Sequence, residues 1–194
     1  MPRIEAPTVR EHHDQRRERL LDAARACLVD PAIRSVGFEH VGPRAGIRRN
    51  SVYLYFPSET HLYLALAESD VPALAKQLAE AAAAATHDKL AAIVDVVLAN
   101  APREEFEILR RLASRTASQR PDLVATRLGE LRRELAEPLV SVLADEGVDS
   151  ADLVGLLALG TLEAALDAIA QGEDRDAVRE AVLATVRSPR TPSR

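Results

Sequence analysis

Ala45-Gly46-Ile47-Arg48-Arg49-Asn50-Ser51-Val52-Tyr53-Leu54-Tyr55-Phe56 is the stretch on which the reading of this chain turns. Gly46 suits the left-handed backbone of a tight helix-to-helix turn, and Ile47 is an apolar plug between two short helices. Arg48, Arg49, Asn50 and Ser51 then open a second helix, predicted over about 48–55. A helix N-terminus offers free N–H groups to phosphate, and two guanidiniums add charge and a fork geometry suited to phosphate or guanine. Val52 and Phe56, four residues apart, share a packing face, while Tyr53 turns its hydroxyl outward. The pattern is that of a turn followed by a DNA-recognition helix.

Continued into Pro57-Ser58-Glu59 and Leu62, the stretch resembles the helix-turn-helix of the tetracycline-repressor (TetR) family, whose pattern is roughly Ala-Gly-Val-Ser-x-Gly-Thr-Leu-Tyr-x-His-Phe-x-Ser-Lys-x-x-Leu. Ala45, Gly46, Tyr53, Phe56, Ser58 and Leu62 match it identically, and Ile47, Ser51, Val52 and Tyr55 match it in type. Leu20-Leu21-Asp22-Ala23-Ala24 resembles the family's first helix, so the matched motif spans about residues 17–66. The resemblance implies an all-α protein of about nine helices. A three-helix DNA-binding domain is expected at 8–57, followed by a helical ligand-binding and dimerisation domain at 58–188. It further implies a homodimer on a pseudo-palindromic operator, acting as a ligand-responsive repressor. Double-stranded DNA, a second copy of the chain and an unidentified small molecule are the expected partners. Arg44, Arg48, Arg49, Asn50, Ser51, Tyr53 and Tyr55 are the expected DNA contacts. Arg49 and Asn50 are assigned to base edges and Tyr53 to a phosphate.

Four positions depart from the family pattern. Gly37 stands where Ser or Thr usually caps the second helix and touches phosphate. Pro43 falls inside that helix, predicted over about 38–44, and predicts a shortened or partly 3₁₀ element. Leu54 replaces a residue that is often basic or polar, and Glu59 replaces a lysine. Arg44, beside the turn, is expected to replace part of the lost phosphate contact. The departures sustain an alternative: a helical ligand-binding or dimerisation protein with a degenerate DNA-binding head.

Composition agrees with helices, since alanine, leucine, arginine and glutamate dominate and aromatics make up only 3%. The net charge of −5 argues against nucleic acid until its distribution is considered. Residues 1–60 hold ten Arg against eight Asp/Glu, while residues 61–194 hold fifteen Lys/Arg against twenty-two Asp/Glu. A weakly basic head thus precedes an acidic body. One cysteine, Cys27, fits a reducing compartment and is read as a small core residue. No apolar run reaches membrane-spanning length free of charge, and Met1-Pro2-Arg3-Ile4-Glu5 lacks a signal peptide's apolar core, so a cytoplasmic protein is expected. No phosphate-cradling glycine loop or metal-spaced His/Cys cluster suggests an enzyme, a metal or a cofactor, and His12-His13 lies in a polar segment.

In chain order, residues 1–7 read either as a flexible arm whose Arg3 touches a DNA groove or as a plain disordered end, and Thr8-Val9-Arg10-Glu11 has capping-box spacing. Helix 1 buries Leu20, Ala24, Cys27 and Leu28 and ends at Asp30-Pro31. Ser58 caps helix 4, which Pro72 is expected to kink or restart as a hinge. Thr86 is expected to cap helix 5, Pro102 with Glu104 and Glu105 to open helix 6, and Pro121-Asp122 to open helix 7. Helix 7 carries Leu123, Leu128, Leu131 and Leu135, and Pro138 is expected to interrupt it before a stop at Gly147. His87, Asn100, Glu107 and Thr116 are polar candidates for orienting a ligand, although no ligand-binding residue can be assigned. Helix 8 is apolar over more than one face, with Gly160 and alanines permitting close packing. The resemblance places the dimer contact on helices 8 and 9, at Leu156, Leu159, Leu162, Leu166, Ile169, Val178 and Val182. Residues 188–194 read as a disordered tail.

Overall fold

The computed structural model describes residues 9–30, 32–33, 36–100, 103–116 and 123–187. The Arg3 arm, Thr8, Pro31, Pro102, Pro121-Asp122, the tail from residue 188 and the side chains of Asn100, Glu104 and Thr116 lie outside them. Among the described residues there are nine α-helices and no strand: α1 Val9–Leu28, α2 Phe38–Arg44, α3 Arg49–Val52, α4 Glu59–Ala84, α5 Lys89–Asn100, α6 Arg103–Thr116, α7 Leu123–Asp145, α8 Ala151–Ala170 and α9 Arg175–Val186. The fold is all-α. It forms two compact units that divide between Leu66 and Ala67, inside α4. The boundary at 57/58 read from the sequence marks the loop before that helix.

In the first unit α2 packs on both α1 and α3. Leu20, Ala24 and Cys27 of α1 are fully buried, as are Val41 of α2 and Val52 of α3. Tyr63 is buried and its hydroxyl donates to the Val36 carbonyl at 3.1 Å, which satisfies the polar end of a core side chain. Ser58 caps α4, its Oγ accepting from the His61 N–H at 3.4 Å. α3 is shorter than the span of about 48–55 expected from the sequence. It is helical only over Arg49–Val52, and residues 53–55 form a tight turn in which the Leu54 and Tyr55 N–H groups donate to Ser51 and Val52 carbonyls. The cause is local: Phe56 precedes Pro57, which disfavours helical angles there, and three-residue closures tighten the last turn.

Neither Pro72 nor Pro138 divides its helix. α4 continues through Pro72 and α7 through Pro138, against the expected hinge and interruption. A proline inside a helix costs about 3 kcal/mol. Burying one Val or Leu side chain returns about 1.5–3 kcal/mol, and Val71, Leu74 and Leu78 flank Pro72 while Leu135, Leu139 and Val142 flank Pro138, all buried. Thr86 does not cap α5. Asp88 does, its Oδ1 accepting from the Ala91 N–H at 3.0 Å. Leu123, counted with the apolar face of α7, is 88% exposed at the first turn. Gly147 ends α7 as expected, with the Val148 N–H returning to the Leu143 carbonyl.

The second unit is centred on α7 and α8, with α5, α6 and α9 around them. Close approach comes from Gly155, not from Gly160: a Cβ at Gly155 meets the Val140 backbone N at 3.2 Å and Cα at 3.3 Å, whereas Gly160 faces open space. Between these helices Arg132 donates to both carboxylate oxygens of Glu163, at 2.8 and 3.0 Å. Burial nevertheless pushes the Glu163 carboxyl above its ordinary range, the Arg132 charge offsetting only part of it. Gly155→Leu is expected to destabilise the protein by about 1–3 kcal/mol through overpacking, whereas Gly160→Ala should be neutral or mildly stabilising. Urea denaturation of both variants checks the contrast.

Candidate nucleic-acid interface

The geometry of the helix-turn-helix is set by how α2 ends. The Gly46 N–H donates to the Pro43 carbonyl at 3.0 Å and the Ile47 N–H to the Gly42 carbonyl at 2.8 Å, a Schellman closure with Gly46 at φ 70°. Gly42 then lies flush against α3, where any Cβ meets the Ile47 carbonyl oxygen at 2.8 Å. Pro43 is accommodated because α2 has capped ends, and the helix occupies the expected span of Phe38–Arg44.

The other end of α2 carries a feature the sequence reading missed. Gly37 has no side chain to cap with, and the carboxylate of Glu59 takes over, accepting from the Phe38 N–H at 3.2 Å. A Cβ at Gly37 falls within 2.6 Å of that same carboxylate oxygen. Gly37 and Glu59, read as two separate losses, are therefore one substitution of a remote cap for a local one. The signal was in the pair: an acidic residue at the start of α4 together with an uncapped N-terminus. Its position required the fold.

Downstream, Arg48, Arg49 and Asn50 are exposed at the start of α3 and Ser51 is half-buried. Among the described residues no ion pair engages Arg48 or Arg49. Tyr53 is 52% exposed, with its ring edge-on to Phe38 at 5.0 Å. Leu54 is 76% exposed, an apolar side chain directed to water. Tyr55 is half-buried and stacks on His13 of α1 with ring centroids 4.7 Å apart. Arg44, expected to replace part of the lost phosphate contact, is exposed beside the turn. It donates to Asp30 at 3.1 Å. The Ala32 N–H and then Arg44 hold the Asp30 carboxyl below its ordinary range. Burial raises the pKa of Cys27, which outweighs the neighbouring Arg44 and keeps the thiol neutral in the core.

Of the residues assigned to helices 8 and 9, Leu159, Leu162, Leu166 and Val182 are buried within the chain, Ile169 and Val178 are half-buried, and Leu156 is exposed. His87 is exposed, and Glu107 accepts from Arg110 and Arg111 of its own helix.

A basic, exposed α3 N-terminus held by a Schellman turn against a short capped helix defines a helix-turn-helix protein. Residues 20–66 match the family model described as bacterial regulatory proteins, tetR family. The N-terminal domain is thus similar to the DNA-binding domain of the TetR family. Solved structures extend the likeness to the fold of most of the chain. FadR, the fatty acid degradation regulator of Bacillus halodurans, is similar with a TM-score of 0.66 at 16% identity, over 88% of this chain and 94% of its own. A TetR transcriptional regulator from Legionella pneumophila gives 0.65 at 18% identity, over 94% and 99%. FadR from Bacillus subtilis, in complex with stearoyl-CoA, gives 0.62 at 16% identity, over 88% and 97%. Comparison with curated proteins finds no match.

Glu59→Ala is expected to destabilise the protein by about 1 kcal/mol, the usual cost of a lost cap. Adding Gly37→Ser should recover most of that loss. Thermal unfolding of the two single variants and the double variant tests the exchange, and strict additivity would contradict it.

Proposed function

We propose that the chain is a DNA-binding transcriptional regulator, a repressor that acts as a homodimer on a pseudo-palindromic operator and is released by a small-molecule effector. The observation that carries this reading is the exposed, unpaired Arg48-Arg49-Asn50 at the start of α3, within a domain matched to the family. Arg48 supplies charge to the backbone. Arg49 and Asn50 read base edges, Ser51 and Tyr55 support them, and the Tyr53 hydroxyl donates to a phosphate. A dimer presents two such segments about 34–36 Å apart to successive major grooves.

The homodimer surface is best sought on the outward face of α8. Leu153, Leu156 and Leu157 are 59%, 36% and 63% exposed. At ~100° per residue they stand with Gly160 and Ala164 on the side opposite Leu159, Leu162 and Leu166. α8 is long and apolar enough to cross a membrane by length and composition, with a mean hydropathy of 1.8. Two apolar faces, one packed inside and one offered to a second copy, account for that composition in a soluble cytoplasmic regulator. The effector belongs to the helical second unit. Acyl-CoA thioesters are the class to screen first, since the Bacillus subtilis relative holds stearoyl-CoA. The second reading, a helical ligand-binding protein with a degenerate head, is favoured by Leu54 exposed to water and by the carboxylate of Glu59 at the α2 N-terminus.

Fluorescence anisotropy against DNA upstream of the protein's own gene and a shuffled control, over several salt concentrations, separates the two. Tight binding to the upstream DNA alone, weakening steeply with salt, supports the regulator. Weak, equal binding to both, and to a genomic fragment pool, supports the degenerate head. Tyr53→Phe is expected to weaken both DNAs alike. Arg49→Ala is expected to cost about 1–3 kcal/mol at one operator position and to reorder sequence preference. For the dimer, Leu157→Arg should give a folded monomer in analytical ultracentrifugation. Leu159→Ala should instead lower thermal stability by about 2–5 kcal/mol, as a core truncation does.

A further inference from the structure

His12, His13 and Arg16 on α1 and Tyr55 at the end of the recognition segment line an open groove of about 330 Å³. None of the roles above uses the two histidines. At ~100° per residue, His13 lies on the same side of α1 as Leu20, Ala24 and Cys27, all fully buried. The core stripe of α1 therefore runs outward into His13, and the stack on Tyr55, with an interplanar angle of 30°, holds the imidazole against the recognition segment. His12 and Arg16, one turn apart, are exposed on the neighbouring side.

The charges around the groove are unevenly placed. Glu11, Asp14 and Glu18 gather on the opposite side of α1, and Asp14 reaches round to lie 3.6 Å from His13 Nδ1. Arg17 stands over the Phe56 ring at 5.3 Å and 3.6 Å from Glu18. From the recognition segment only Tyr55 lines the groove. With both imidazoles neutral, Arg16 is the one cation in this lining, and Asp14 opposes it. Each proton taken up by a histidine adds a positive charge and a second ring N–H donor. The N-terminus of α2, an alternative anion site, already holds the Glu59 carboxylate.

We propose that this groove is a proton-linked phosphate site, which takes one backbone phosphate of bound DNA between Arg16 and protonated His12 or His13. This rests on the DNA-binding reading. Binding draws a proton from solvent onto an imidazole, so affinity rises as pH falls. One linked proton changes a binding constant by at most about tenfold per pH unit.

The test is anisotropy with operator DNA at pH 6.0 and 8.0 and fixed ionic strength, with folding verified by circular dichroism. The full-length protein should bind about tenfold or more tightly at the lower pH. His12→Gln with His13→Gln should abolish that difference. His40→Gln with His61→Gln, which alters imidazoles outside the groove, should retain it. NMR titration should show the His12 or His13 ring gaining a proton when DNA is added near neutral pH. Affinity independent of pH, or a pH dependence that survives His12→Gln with His13→Gln, overturns the proposal. Absence of DNA binding at either pH overturns the DNA-binding reading itself, an outcome distinct from binding that ignores pH.

Discussion

A hydrogen bond from the Phe38 N–H to the Glu59 carboxylate anchors the start of α2, and together with the Gly46 turn it sets where α3 begins. α2 has only seven residues and contains a proline, so intrinsic propensity contributes little to its stability. It persists because both ends are closed, by Glu59 at one and by the Gly46 turn at the other. Between them Gly42 lets the Ile47 carbonyl approach, which fixes where α3 begins. The cap is borrowed from α4, so the angle of α2 and the register of α4 are set together.

That borrowed cap has an electrostatic consequence. A helix N-terminus with a hydroxyl cap keeps affinity for anions, whereas one occupied by a carboxylate has its dipole already neutralised. Arg44 at the end of α2 is paired with Asp30, whereas Arg48 and Arg49 stand exposed at the start of α3.

In the second unit the governing constraint is the fit of α8 against α7 at Gly155, where a side chain larger than hydrogen meets the Val140 backbone. Close approach there brings Leu159, Leu162 and Leu166 into the core and directs Leu153, Leu156 and Leu157 outward. The same packing explains why Pro72 and Pro138 do not break their helices. The cost of one missing hydrogen bond is local, while the apolar residues on either side are anchored by contacts distributed along several turns.

What the sequence determined by itself was whatever depends on neighbours along the chain. The Gly46 turn, the span of α2, the Ser58 cap, the Gly147 stop and the exposure of Arg48, Arg49 and Tyr53 all follow from residues within four or five positions of one another. The helical character of the second unit was equally legible, because apolar spacing of three and four residues is a local signal. What only the tertiary structure decided were relations between residues far apart in sequence. These include the capping of α2 by Glu59, the pairing of Arg44 with Asp30, the stack of His13 on Tyr55, and the choice of Gly155 over Gly160 as the close contact. Which of α8's two apolar faces turns inward belongs with them. Helical periodicity places both faces but carries no information about which one meets α7, since that depends on where the small residues of two helices coincide in space.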